Sequence, residues 1–423
     1  MRVGFSGRPG FVLAICVVAH TVLSIDRGLM AVLQEPIKRD LLLTDTQLGL
    51  LTGLGFALFF GIAGLPMGWL VDRYNRRKIL SVAVLVFSGM TALGAAVASF
   101  VQLLITRSIV GAGEAAGGPA MGSMLADQYP PAKRSSALSI YYLGAPLGSI
   151  LAFLIGGWVA AHYGWRLVLL LASLPGVAVA ILIRLLVTEP QRRRDAGGAV
   201  QEAPPFRIAV GFIWSQRSLR HALFTPVLTS AASTGILTFA GSYFVRLHGL
   251  GVAGVGLLLA VFYGVVGAIG AVAGGHIVDR LITRDPRWAA WWCGGANLLA
   301  AAAAALMTLS PGLPCAVAGM ALLALCINST YGPLFALVQS LVLTARMRGT
   351  LISIFYLTNY LFGAASGPQI VGGISDLLTP RFGVESLRWA ILSTILLYIW
   401  GAVHFLLGSR TLSRDSARAT SAG

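Results

Sequence analysis

Gly68-Trp-Leu-Val-Asp72-Arg73-Tyr-Asn75-Arg76-Arg77-Lys78 ends a long apolar run in a burst of charge, and Gly275-His-Ile-Val-Asp279-Arg280 ends another in the same way. A second stretch also occurs twice. Arg134-Ser-Ser-Ala-Leu-Ser-Ile-Tyr-Tyr and Arg348-Gly-Thr-Leu-Ile-Ser-Ile-Phe-Tyr each open an apolar run. Motifs that recur at matching places mark a chain built twice on one plan.

A helix needs about 20 mostly apolar residues to cross a bilayer. Twelve such runs surround these motifs, near 11–33, 47–71, 79–98, 100–127, 135–161, 165–187, 219–247, 251–278, 286–309, 312–344, 349–375 and 386–408. The first motif then closes spans 2 and 8, and the second opens spans 5 and 11. The longest charged interruption, 188–218, contains Arg192-Arg193-Arg194 and Pro204-Pro205 and divides the spans six and six. The expected architecture is therefore all-α and integral to the membrane: a six-helix bundle over 1–187, a linker over 188–218 and a pseudo-symmetric six-helix bundle over 219–423. Within the linker, Phe206-Arg207-Ile208-Ala209-Val210-Gly211-Phe212-Ile213-Trp214 suits a short helix at the membrane surface, with a flexible linker as the alternative. Two repeated six-helix units are the pattern of secondary transporters, whose sites lie near the midplane between the repeats.

Composition agrees. The 423 residues are 57% hydrophobic and 11% charged, with mean hydropathy +0.81, where soluble proteins carry about 25% charged residues. This excludes a soluble enzyme, a nucleic-acid-binding domain and a disordered chain. The formal charge of +16 reflects topology. With both termini in the cytoplasm, most Lys and Arg fall on inner loops and tails, among them Arg73, Arg76, Arg77, Lys78, Lys133, Arg134, Arg280, Arg284, Arg287, Arg346 and Arg348. The outer loops keep Lys38, Arg39, Arg166, Arg246, Arg381 and Arg388. That asymmetry sets the orientation and favours contact with anionic lipid. In a bacterium the membrane would be the inner one. Arg2 and Arg8 before the first run resemble a signal peptide, but no small-residue cleavage site follows and Asp26-Arg27 lies within the run, so a spanning helix is expected. The four cysteines, Cys16, Cys293, Cys315 and Cys326, lie in apolar stretches without a CxxC pair, so neither disulfide nor metal is expected. No cofactor is implied, and no nucleophile elbow or nucleotide loop suggests an enzyme.

Four charges sit inside spans: Asp26 and Arg27 in span 1, Arg107 and Glu114 in span 4. A charge at the bilayer centre costs several kcal/mol unless paired or wet. Arg107 and Glu114 are two turns apart and share a helix face. Adjacent residues on a helix do not face each other, so Asp26 and Arg27 must each find a partner elsewhere. The economical arrangement pairs Asp26 with Arg107, or Arg27 with Glu114. Either a packing network or a working site results. Buried ion pairs stabilise poorly, which favours work. An acid beside an arginine takes up a proton when the arginine is drawn to an anion. Asp26 and Glu114 are the expected proton-linked acids, and Arg27 and Arg107 the expected binders of a phosphate or carboxylate. His20 lies near Asp26 in sequence and extends a proton path or simply packs. In the second half, neutral polar and aromatic residues such as Thr229, Ser233, Thr234, Tyr331, Gln339 and Asn359 suit either an amphipathic ligand or helix–helix hydrogen bonds; Tyr331 and Asn359 are the expected substrate contacts. Asp72, Arg73 and Asp279 at helix ends, with Arg134 and Arg348 at helix starts, form an expected cytoplasmic gate, since carboxylates suit helix N-termini.

The Gly68–Lys78 stretch resembles the loop 2–3 signature of the major facilitator superfamily. Asn75 stands where that signature has its central glycine; Asn tolerates positive φ better than most residues. Within the superfamily the chain is similar to the Spinster group of lipid transporters. Asp26-Arg27 carries this, with Arg107-Ser-Ile-Val-Gly111-Ala-Gly113-Glu114-Ala115, Tyr129-Pro130-Pro131 and Ala137-Leu-Ser-Ile-Tyr-Tyr-Leu-Gly144-Ala-Pro146-Leu-Gly148. Gly156-Gly157-Trp158, Gly164-Trp165-Arg166 and Leu174-Pro175-Gly176 complete the pattern. The resemblance implies two bundles rocking about a cavity and a lysophospholipid or sphingolipid-like substrate. With the buried acids it implies a monomer whose partners are substrate, protons and membrane lipid, not nucleic acid. The Asp-Arg and Gly-Glu-Ala pieces also occur in organic-anion:proton symporters, so an organic-anion or drug:proton transporter is the alternative. A transport-inactive sensor or scaffold is the alternative of another class.

Overall fold

The computed structural model describes residues 9–189, 206–340, 351, 354–355 and 357–421. Among these there is no strand. The first half comprises α1 (Pro9–Leu41), α2 (Asp45–Arg73), α3 (Arg76–Gly94), α4 (Phe100–Glu114, then Gly117–Gln128), α5 (Pro131–Tyr142 continuing to Gly157–Tyr163) and α6 (Trp165–Leu186). A short helix, Phe206–Ser215, follows. The second half comprises α7 (Arg217–His248), α8 (Val252–Ile282), α9 (Trp288–Leu309), α10 (Leu313–Ser329, then Tyr331–Ser340), α11 (Asn359–Ala364, then Ser366–Phe382) and α12 (Ser386–Ser393, then Ile395–Ser421).

Among the described residues ten continuous segments are long and apolar enough to span. One of them, Asn359–Leu412, has 54 residues, far more than one crossing needs. Gly383, at φ 54°, turns the chain inside it. It is therefore two spans, α11 and α12. The twelfth is α4, too polar and too broken to qualify by hydropathy: it carries Arg107, Glu114 and Asp127 and is interrupted at Ala115-Ala116. The twelve predicted spans are thus present among the described residues.

Helix ends follow local chemistry. Thr44 and Gln47 form a capping box at the start of α2. The Asn75 side chain accepts from the Lys78 amide at 2.9 Å and caps α3. Its φ of −69° is extended, not positive. The loop thus uses this residue as a cap, correcting the expectation that its tolerance of positive φ mattered. Small residues bring the helices close. A Cβ on Gly111 would lie 2.6 Å from the Phe56 carbonyl, so α4 meets α2 backbone to backbone.

Contacts divide the chain into two compact units, Met1–Gly198 with Ala240–Gly264, and Ala199–Phe239 with Val265–Gly423. The first holds α1–α6 with the end of α7 and the start of α8. There the Gly241 site touches the Ala31 carbonyl and Gly157 touches Gly256. In the second unit, Ile213 of the short helix is 1% exposed and joins a core of Leu219, Cys293, Leu351 and Phe405. π-helical turns occur at Ala152–Gly156, Ala260–Val266 and Asn359–Ala364, a feature that often marks functional stretches of helices.

Because the backbone at Phe56 cannot retreat without moving α2, Gly111→Ala should destabilise the protein by about 1–3 kcal/mol. Thermal unfolding in detergent measures this; an unchanged midpoint would contradict the close α2–α4 contact.

Candidate functional site

The four buried charges meet in the first unit. Arg107 Nη1 donates to Asp26 Oδ2 at 2.5 Å, and Thr91 Oγ1 donates to Asp26 Oδ1 at 2.9 Å. Arg27 donates to Glu114 Oε2 from Nε at 2.7 Å and from Nη2 at 2.6 Å. Both pairs considered from the sequence therefore form together. α1 turns its two adjacent charges to opposite sides, and each meets a charge of α4 on one shared face. Phe56 ties the pairs together: the Arg27 and Arg107 guanidinium carbons lie 5.6 and 5.7 Å from its ring centre, close enough for cation–π attraction. Phe60 adds a second ring at 5.5 Å from Arg27.

The pairs differ in exposure. Asp26 and Arg107 are both enclosed. Glu114 is fully enclosed, while the Arg27 side chain is 47% exposed. Glu114 Oε1 is buried with no hydrogen-bond partner among the described residues, and so is Arg107 Nε. Glu114 ends the first part of α4, at the Ala115-Ala116 break. The site thus contains one closed ion pair and one whose cation reaches out.

Two further charge clusters bracket it. At the predicted outer end, Arg246 of α7 donates to both oxygens of Asp45, at 2.8 and 2.7 Å, and to Glu35 Oε2 at 2.9 Å. Lys38 donates to Asp45 at 2.5 Å. Arg166 pairs with Asp40 nearby. At the opposite end, Arg76 is 1% exposed and binds Glu189 at 2.8 Å, Ser123 at 2.9 Å and Asp127. Glu189 also accepts from the Arg77 amide at 2.9 Å. Arg76 so joins the ends of α3, α4 and α6.

Known proteins decide the family. The chain matches the Major Facilitator Superfamily over residues 15–368. The chain belongs to the major facilitator superfamily. It is 32% identical over 397 residues to an MFS-type efflux pump of Mycolicibacterium smegmatis, covering 92% of this chain and 90% of that one. It is 25% identical over 415 residues to a sphingosine-1-phosphate transporter of Danio rerio, covering 90% of this chain and 80% of that one. The crystal structure of a bacterial homologue of the human lysosomal transporter Spinster, inward-facing and unoccupied, superposes with a TM-score of 0.87 at 27% identity, covering 96% of this chain and 98% of that one. This superfamily member is a multi-pass membrane transporter of the Spinster type.

The other predicted residues are scattered among roles. Asp72, Arg73 and Asp279 are exposed, and Arg73 stacks on Trp69 at 4.3 Å. Arg134 donates to the Tyr129 carbonyl at 3.1 Å. Arg348 lies outside the described residues. In the second unit, Tyr331 is 54% exposed, and Asn359 Oδ1 is buried without a hydrogen-bond partner among the described residues. Thr229 bonds Asn297 at 3.0 Å, Ser233 bonds Tyr398 at 3.0 Å and Thr234 bonds the Ala364 carbonyl at 3.0 Å; these three fasten helices. His20 stacks on Tyr141, ring centres 4.5 Å apart, and bonds its carbonyl at 3.1 Å, so it packs α1 against α5. Thr91, Phe56, Arg76 and the Arg246 cluster were not singled out by sequence reasoning. A partner for Arg246 was the only one with a signal, since Glu35 and Asp45 flank the same outer loop as Lys38.

Removing one member of the closed pair strands the other. Arg107→Ala should cost about 3–5 kcal/mol, and Asp26→Leu with Arg107→Met should recover most of it. Chemical unfolding in detergent tests both, and a double variant no more stable than Arg107→Ala would contradict the pairing.

Proposed function

We propose that the protein is a proton-coupled secondary transporter that moves an amphipathic anionic or zwitterionic lipid, such as a lysophospholipid or sphingolipid, by alternating access. The observation that carries this is the Arg27–Glu114 pair, in which an exposed guanidinium is, among the described residues, the hydrogen-bond partner of an enclosed carboxylate whose other oxygen has none. An anionic headgroup reaching Arg27 competes for its fork. Glu114 then faces an unpaired charge in a dry place and takes up a proton to remove it. When the headgroup leaves, Arg27 returns and the proton is expelled. Binding and protonation are thereby linked through one arginine, and each must favour the other equally.

In this reading Asp26 and Glu114 are the proton-linked acids, with Asp26 held more firmly by Arg107 and Thr91. Arg27 and Arg107 hold the headgroup, and Tyr331 and Asn359 belong to the path of the tail. Asp72, Arg73, Arg134, Asp279 and Arg348 form the cytoplasmic gate. The moving parts are the two repeats, 1–187 and 219–423, joined by 188–218, working as a monomer with both termini in the cytoplasm. Similarity to Spinster proteins supports the lipid class. A second reading, export of a drug or organic anion by the same charge logic, is favoured by the Mycolicibacterium smegmatis efflux pump.

Flux of labelled lysophospholipid into proteoliposomes, with and without a pH gradient, separates these readings when run against a small sugar acid and an efflux dye. Lysolipid flux that follows the gradient is expected. Glu114→Gln should keep the fold and lose the gradient response, and Arg27→Ala should weaken an anionic lipid far more than a neutral analogue. Movement of the dye or the sugar acid alone would transfer the chain to the second reading. A gradient response intact in Glu114→Gln would remove that residue from coupling.

A further inference from the structure

A groove of about 410 Å³ opens between α2, α3 and α4 at the end that carries the loop Asp72–Arg77. Met67 and Leu70 of α2, Val82 and Val86 of α3 and Ile109 of α4 line it. One polar side chain joins them, Lys78 at the loop end. Val82 is 59% exposed and Val86 40% exposed, so the groove faces the surroundings of the helices, which for a spanning bundle are hydrocarbon. The length of the groove follows Lys78, Val82 and Val86, one turn apart along one face of α3.

The charges around its mouth are not equivalent. The Arg76 guanidinium is committed to Asp127 and Glu189, while Arg77 gives its backbone amide to Glu189 and its guanidinium to the Val187 carbonyl at 3.1 Å. Lys78 makes no ion pair among the described residues and is exposed. Arg73, also exposed, lies flat on Trp69, whose ring centre is 6.1 Å from that of Tyr74. Asp72 is the acid next to Arg73 in sequence, and Glu189 is taken up by Arg76. Among the described residues Lys78 and Arg73 carry no ion pair, and with two exposed aromatic rings they make a positive, amphipathic rim of the kind found where membrane meets water. An apolar slot leads from it into the bilayer.

We infer that this groove is a binding site for an anionic phospholipid of the surrounding leaflet. One acyl chain lies along Met67, Val82, Val86 and Ile109, and the phosphate sits at Lys78 with Arg73 beside it. The site is separate from the four-charge network and independent of which substrate is carried. Its occupant would clasp the ends of α2 and α3 from outside, on either side of the loop that joins them.

Native mass spectrometry of the full chain tests this, with phosphatidylglycerol and phosphatidylcholine of identical chains offered in detergent. Wild type should retain phosphatidylglycerol in preference. Lys78→Gln should reduce that preference about five-fold, as expected for one basic residue at an anionic surface. Val86→Trp, which fills the slot from an exposed position, should reduce retention of both lipids. Melting in lipid-free detergent confirms that each variant folds. Equal retention of the two headgroups by wild type would overturn the proposal. So would a Lys78→Gln effect with none from Val86→Trp, which would mean a surface charge contact without a groove.

Discussion

Hydrocarbon does not tolerate a lone charge, and this governs the first half of the molecule. Asp26, Arg27, Arg107 and Glu114 are brought together because none can be left singly in the bilayer. Their neutrality as a set lets α1 and α4 meet at all. Gly111 and Gly113 hold α4 close to α2 and α3, and the Gly111 contact with the Phe56 carbonyl sets the aromatic ring beside both guanidinium groups. Two like-charged arginines share one ring because each also has its own carboxylate.

The network is asymmetric in a way that suits transport. Among the described residues Asp26 has two hydrogen-bond partners and Glu114 one. A buried pair with both members enclosed resists rearrangement. A pair whose cation is half in solvent can be opened by whatever competes for that cation. The break in α4 directly after Glu114 places this acid where the backbone ladder is already interrupted, so movement there disturbs less than it would in an unbroken helix.

Much of this was legible in the sequence, and the reason is physical. Spanning length is fixed by the bilayer, so the runs count themselves. The i, i+1 spacing of Asp26 and Arg27 forces separate partners. The i, i+7 spacing of Arg107 and Glu114 places both on one face. Arg76 was illegible for an equally physical reason. It sits in Arg76-Arg77-Lys78, where every residue reads as an inner-loop charge, and its acids come from Asp127 and Glu189, each at a distant helix end. Nothing local distinguishes the buried Arg76 from the exposed Lys78 two residues on. Arg246 also reads as one outer-loop charge among several, and only Glu35 and Asp45 beside Lys38 hint at a cation partner. The interruption of α4 and the π-helical turns left no mark that periodicity could detect, since each changes the register by a fraction of a turn.

The economy of acids has a consequence of its own. The chain has 15 Asp and Glu against 31 Lys and Arg. Among the described residues Asp26, Glu35, Asp40, Asp45, Glu114, Asp127, Glu189 and Glu385 are all engaged in ion pairs. Carboxylates can be neutralised by acid, whereas arginine holds its charge. Strong acidification would therefore neutralise the acids of the first unit's cross-helix ion pairs together and leave their cations to repel one another. The helices would remain in the bilayer, but the fastenings between them would turn into a source of outward pressure.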